Sequence, residues 1–312
     1  MVRYAAQRVG LLLLTLALVA LVIFTITSFL PTDAAETKLG ILATPESLEF
    51  VRQQLGLDQP VLVRFWSWFG GALRGDFGTS LVFQTEIGPL VMARLANSAV
   101  LAGLVLLISV PLGIVLGMWA GSREGGAIDR IISWVTLTAF SFPEFVWAIL
   151  LIFVFANILG VLPAASIITG SPFDDPAKLV MPVATATIVV LALTIRMMRQ
   201  GTVQTLELDY VRTARLKGLS EWKVFRKHVM GNAIAPAVTA TGTNVAYLLG
   251  SLAVVETIFS FPGIGSLTVQ AANNRDVPLL AAAVLLTSAI VTTANLVADL
   301  IVVGLNPRLR KS

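Results

Sequence analysis

Six long apolar stretches constrain this chain more than anything else in it. Val9–Leu30, Ser98–Ala120, Ile131–Phe155, Leu179–Ile195, Ile234–Val255 and Leu279–Val303 are each long enough to cross hydrocarbon as a helix. The first, second, fourth and fifth carry no charged side chain. A soluble domain of 312 residues has no need of this; the chain is 56% hydrophobic and only 13% charged. Val9–Leu30 exceeds a signal-peptide core and no clean small-x-small cleavage site follows it, so it is read as a retained span. The expected architecture is an all-α membrane protein of six transmembrane helices.

Lys and Arg set the orientation. Fifteen of the 22 fall in the amino terminus, the second and fourth connections and the tail; the other seven lie mostly in the long first connection, where the charge rule is weak. Both termini are therefore expected in the cytoplasm. The net charge of +4 follows from this asymmetry and does not require a nucleic-acid partner. There is no cysteine, hence no disulfide or thiolate chemistry, and the single His228 lacks co-ligands for a metal. No GxxxxGK[ST] phosphate loop is present, so the chain is not expected to hydrolyse ATP.

The organisation read from these features is an N-terminal span in residues 1–30, an extracytoplasmic connection over 31–97, and a five-helix core over 98–312 containing a cytoplasmic loop, 196–233. In the outer connection Ser47–Leu55 reads as a short helix stopped by Gly56. Val61–Leu73 reads as an amphipathic helix whose Phe65, Trp66, Trp68 and Phe69 suit the water–lipid boundary.

The most basic stretch is LDYVRTARLKGLSEWKVFRKH, Leu208–His228. Glu207 and Asp209 open it, and Arg212, Arg215 and Lys217 close its first half, which is the polarity that complements a helix dipole. Gly218 stands where a helix C′ residue turns left-handed, and Ser220 is placed to cap a second helix. Val211, Ala214, Leu219, Trp222 and Phe225 supply apolar surface for the angle between the two helices. Nearly forty residues from Arg196 to Ala233 exceed what joining two helices requires, which points to a folded surface for docking another protein.

This segment resembles the EAA loop of ABC-importer permeases, in the form found in the dipeptide, oligopeptide and nickel permease family. The resemblance rests on Tyr210-Val211, Ala214-Arg215, Lys217-Gly218-Leu219, His228, Asn232-Ala233 and Pro236. The general importer pattern is Glu-Ala-Ala, three residues, Gly, nine residues, then Ile-x-Leu-Pro. Here Ala214 and Gly218 keep their spacing. Arg212, Thr213, His228, Met230 and Gly231 depart from the pattern, as in the peptide and nickel branch. LGLDQP, RGDFGTS, ETIFSFPGIG, NRDVP and LNPRLR are similar to further blocks of that family, in its order.

The resemblance implies a type I ABC-importer permease fold and an obligate set of partners: a second homologous permease, two cytoplasmic ATPase subunits or domains, and an extracytoplasmic substrate-binding protein. It places the chain in a bacterial cytoplasmic membrane, with ATP and Mg on the partner subunits and no cofactor in this chain. It implies that Glu207, Asp209, Tyr210, Val211, Arg212, Ala214, Arg215, Lys217, Gly218 and Leu219 form the coupling helix and its turn. Substrate would be a di- or oligopeptide, nickel or another solute, chosen largely by the binding protein. Other classes, a self-sufficient secondary transporter or channel or a membrane anchor with a docking loop, would need no ATPase pair.

Within the spans Glu144 is the outstanding side chain, since a carboxylate at mid-span costs about 2.5–3.5 kcal/mol on insertion scales. It is either a pathway-lining or amine-contacting group or a hydrogen-bonded structural one beside the Pro143 kink. Asn244, Tyr247 and Ser251, in a polar trace that includes Thr239, Thr241 and Thr243, share one helical face that suits a wet pathway or ordinary helix–helix hydrogen bonding. Gly242 and Gly250 are expected to serve close packing. Glu256, Phe259 and Phe261 resemble the family's external gate region, where an interfacial carboxylate would also sit without a special role. Asp299 is expected to find a cationic partner such as Arg308.

Overall fold

The computed structural model describes residues 2–28, 44–54 and 58–305, and every regular element among them is helical. In chain order they are α1 (Val2–Ser28), α2 (Pro45–Gln54), α3 (Val61–Leu73), α4 (Ile87–Ser122), α5 (Ala127–Ser141) and α6 (Glu144–Leu151). A π-helical segment, Ile152–Ile158, continues α6. Then come α7 (Ala177–Leu206), α8 (Asp209–Leu216) and α9 (Glu221–Val224), followed by a second π-helical segment, Phe225–Val229. The chain ends with α10 (Met230–Ile258), α11 (Ile264–Asn273) and α12 (Val277–Leu305).

Among the described residues four stretches are long and apolar enough to cross a membrane: Gln7–Ile26, Ile87–Ser122, Ala177–Leu206 and Val277–Val297. The bent pair Ala127–Ser141 and Glu144–Ile158 makes a fifth if counted as one span. The stretch expected to be a single helix, Ile131–Phe155, is thus corrected to two helices meeting at 97°. Pro143 cannot donate a backbone hydrogen bond, and its ring drives the preceding residue out of the helical region. Phe142 accordingly sits at φ −101°, ψ 137°. Trp147 Nε1 donates to the Ala139 carbonyl at 3.0 Å, and its ring meets Phe142 edge-on, which secures the corner.

α4 is 36 residues long, about 54 Å at the α-helical rise, well beyond the hydrocarbon thickness. Its main partner is α7, along a stripe of Gly113, Gly117 and Gly121. A Cβ at Gly117 would stand 2.6 Å from the Cβ of Met198, and one at Gly121 would stand 2.7 Å from the Arg199 carbonyl. Spacing by four keeps the three glycines on one face, so the helix backbones approach closely and gain dispersion contacts without side chains between them. Gly250, expected to serve close packing, has nothing within 4 Å of a Cβ position. Close packing through glycine is seen on α4, and also at Gly265, where a Cβ would stand 2.4 Å from the Ala253 Cα.

The central core joins Leu101 and Val105 of α4, Ala148 of α6, Met181, Ala186 and Val190 of α7, and Leu248, Leu252 and Val255 of α10. A second cluster ties Ile87 and Val91 to α11 and α12 through Ile264, Leu267, Leu279 and Ala282. In the outer connection α2 and α3 form as the sequence predicts, α3 over the expected residues; Gly56 lies outside the described residues. Phe65, Trp68 and Phe69 of α3 pack on Ala20 and Phe24 of α1, with Phe24 and Phe65 ring centroids 5.4 Å apart, whereas Trp66 is exposed.

Candidate functional site

Two regions gather the residues singled out by the sequence. The first is the basic segment. The expected forty-residue connection is much shorter than the sequence suggests, because α7 runs on to Leu206 and helical backbone resumes at Glu221. What stands free is α8, eight residues long, with Asp209 in its first turn and Arg215 in its last. Glu207 belongs to the end of α7, and Lys217 caps α8. Gly218 has φ +75°, the left-handed conformation its position requires, and its N–H donates to the Arg215 carbonyl at 2.9 Å. Ser220 occupies the N-cap position of α9, but its side chain makes no capping hydrogen bond.

Val211 and Ala214 are buried in a cluster with Met118 of α4, Met198 of α7, Val224, Val229 and Ala233. They fill the angle between α8 and α9 as expected, with Leu219 and Phe225 packed against them, and also seat α8 on α4 and α7; Trp222, expected in the same angle, is exposed. Tyr210 Oη donates to the His228 carbonyl at 3.2 Å and accepts from Asn232 Nδ2 at 2.8 Å. Three residues that carried the resemblance therefore bolt α8 to the start of the next helix. Arg215 pairs with Glu221 across the glycine turn at 3.0 Å, an exposed pair worth at most about 1 kcal/mol. The outward face holds Arg212 and Leu216, and Trp222 of α9 is exposed beside it; Leu216 is 81% and Trp222 70% exposed.

The second region lies inside the bundle. Glu144 opens α6 and is 8% exposed. Its carboxyl faces the hydroxyls of Tyr247 and Ser251, one turn apart on α10. The Oε1 atom has no hydrogen-bond partner among the described residues. Three of the four candidate pathway residues thus come together from helices a hundred residues apart in sequence. The side chains of the fourth, Asn244, and of Thr239, Thr241 and Thr243 lie outside the described residues, as do Gly242 and the side chain of Asp299 with Arg308.

At the C-terminal end of α10, Glu256, Phe259 and Phe261 are fully buried. The Glu256 carboxylate is held by the protein itself: Ser98 Oγ donates to it from α4, and the Ser266 N–H donates at 2.9 Å from the first turn of α11. Two blocks read separately also meet here. Asp276 of NRDVP accepts from Ser80 Oγ of RGDFGTS, and from the Val82 N–H at 3.1 Å.

Other partnerships were not foreseen. Asp129 takes a two-pronged hydrogen bond from Arg199, with Nη2 to Oδ2 at 2.8 Å, and accepts from the Gly125 N–H at 2.9 Å. It pins the start of α5 to the C-terminal part of α7. The glycine stripe of α4 was the one omission with a sequence signal, its spacing by four. Ser98, Ser80 and Asp129 carry no such signal, since each is defined by a partner far away in the chain.

Comparison with known proteins bears on both regions. Residues 113–311 match the family described as binding-protein-dependent transport system inner membrane component, and residues 1–98 match its N-terminal companion. The chain belongs to this family and is a permease subunit of an ABC importer. It is 36% identical over 310 residues to the glutathione transport system permease protein GsiC of Salmonella typhimurium, covering 99% of each chain. It is 35% identical to the Escherichia coli protein of the same name, again over 99% of each. A crystal structure of an amino acid ABC transporter with histidines shares the fold at TM-score 0.51 and 19% identity, covering 70% of this chain and 94% of that one.

Proposed function

We propose that this permease serves a bacterial cytoplasmic-membrane importer of small peptides, with six spans and both termini in the cytoplasm. It works with a second homologous permease, two ATPase subunits or domains that bind ATP and Mg, and an extracytoplasmic binding protein; it hydrolyses no ATP and holds no cofactor itself. Relatives bearing the name of glutathione transport support a peptide-like substrate over nickel.

The observation that carries the coupling role is the two-faced character of α8. Its inner face, Val211 and Ala214, is buried on α4 and α7, while Arg212 and Leu216 face outward. A partner gripping Leu216 and Trp222 would bury apolar surface worth about 1.5–3 kcal/mol per large side chain. Motion of the gripped helix would pass into α4 and α7 together, because the glycine stripe leaves no slack between them. In this reading Glu144, Asn244, Tyr247 and Ser251 line the pathway. Glu256, Phe259 and Phe261 form the outer gate; their burial together supports this reading.

Copurification in detergent tests the assignment. A bound ATPase pair and ATP-dependent uptake in proteoliposomes are the expected results, with uptake compared for dipeptides, glutathione and nickel. Transport by the isolated chain without ATP would overturn it in favour of a self-sufficient transporter or channel.

A further inference from the structure

We propose that Glu144, Tyr247 and Ser251 form a binding site for a primary ammonium group, such as the free amino end of a transported peptide. The proposal rests on the reading that this chain lines the translocation pathway.

The site lies where the span is broken. α6 starts after the 97° corner, and Glu144 is its first residue. The same span then passes into seven residues of π-helix. Discontinuous helices are where membrane transporters place binding groups, and π-helical segments recur at functional sites. The N-terminal end of α6 favours a carboxylate but offsets only a part of the cost of a charge within a membrane-spanning segment. A leucine would pack there without that cost. Among the described residues Glu144 meets the hydroxyls of Tyr247 and Ser251 on α10, and Oε1 is left without a donor. A buried polar atom without a partner needs a reason to persist.

The acceptor set fits one chemistry. Ser251 Oγ spends its proton on the Leu248 carbonyl at 3.0 Å, so its oxygen remains free to accept. With Glu144 Oε1 and the Tyr247 oxygen this supplies three acceptors, one of them a carboxyl group that a bound cation would hold ionised, to match the three N–H donors of a primary ammonium. A divalent metal ion would call for more carboxylate or imidazole ligands; among the described residues no group of three His, Cys, Asp or Glu stands together. Tyr247 is 44% exposed, so the cluster is open on its α10 side while Glu144 itself is enclosed.

The test uses the full chain in its purified importer complex in nanodiscs, titrated with n-butylammonium chloride while thermal unfolding is followed. Controls are n-butanol, which lacks the charge, and tetramethylammonium, which lacks the N–H donors. Saturable stabilisation by butylammonium is expected, with half-effect at concentrations about tenfold or more below either control. Glu144→Gln should raise that half-effect concentration about tenfold, with Glu144→Asp in between. Ser251→Ala, which keeps the carboxylate, should weaken the response about three- to tenfold and serves if Glu144→Gln does not assemble. Equal responses to the three probes, or an unchanged response in the variants, would overturn the site. If the ATPase pair stays bound in that case, only the ammonium site falls; if the wild-type chain holds no ATPase pair, the permease reading falls with it.

Discussion

Ser98 and Glu256, 158 residues apart, share a buried hydrogen bond that joins α4 to the C-terminal end of α10. Ser98 Oγ also accepts from the Ile264 N–H at 2.8 Å, so one hydroxyl links three helices. The Glu256 carboxylate caps α11 through the Ser266 N–H. This end of the bundle is held by this small polar centre, with Phe259 and Phe261 closed around it.

Removing either group should therefore cost about as much. Glu256→Ala strands the Ser266 N–H and the Ser98 hydroxyl, at about 1–3 kcal/mol for each buried unsatisfied group. Ser98→Ala strands the Ile264 N–H and leaves one carboxylate oxygen short of a donor, at about the same cost for each. Thermal unfolding in detergent compares both with the wild type; a loss below about 1 kcal/mol in either variant would refute the role of this polar centre.

The glycine stripe gives a positional prediction. Gly117→Leu must force α4 from α7, and destabilisation by about 3 kcal/mol or more is expected from overpacking at a backbone contact. Gly103→Ala on the same helix meets nothing within 4 Å and should be neutral or stabilising by up to about 1 kcal/mol. Expression level and gel-filtration profile of the two variants separate them.

At the coupling turn, Gly218→Pro demands φ near −65° where the backbone has +75°. It should abolish ATP-dependent uptake while leaving membrane insertion intact. Gly218→Ala should cost about 1 kcal/mol locally and keep partial coupling. Normal uptake by the proline variant would remove the coupling role from this turn.

Leu216→Asp separates docking from folding. The side chain is exposed, so monomer stability should change by no more than about 0.5 kcal/mol. ATPase retention should fall by at least about tenfold, the loss of one buried leucine. Ala214→Leu should instead act by unseating α8 from Met118 and Met198, lowering stability and coupling together.

A double-mutant cycle of Asp129→Ala and Arg199→Ala measures the latch between α5 and α7. The bidentate geometry and the nearly buried carboxylate point to a coupling energy of about 1–3 kcal/mol. Additive effects of the two substitutions would show that the pair holds nothing in place.

The sequence alone determined what depends on neighbours a few residues apart. Apolar runs located the membrane-length helices, Val61–Leu73 was legible from its amphipathic pattern, and Gly218 announced its left-handed turn after an acid-to-base helix. Pro143 announced a kink, but not a 97° corner, because the angle is set by what Trp147 and the α10 face pack against. Only the tertiary structure decided that Val211 and Ala214 face inward, that Glu144 meets Tyr247 and Ser251, and that Ser98 finds Glu256. Local propensity acts through bonds and one helical turn. A pairing across a hundred residues depends on which helices become neighbours, and here the close backbone approach of α4 and α7 sets the frame in which the others pack.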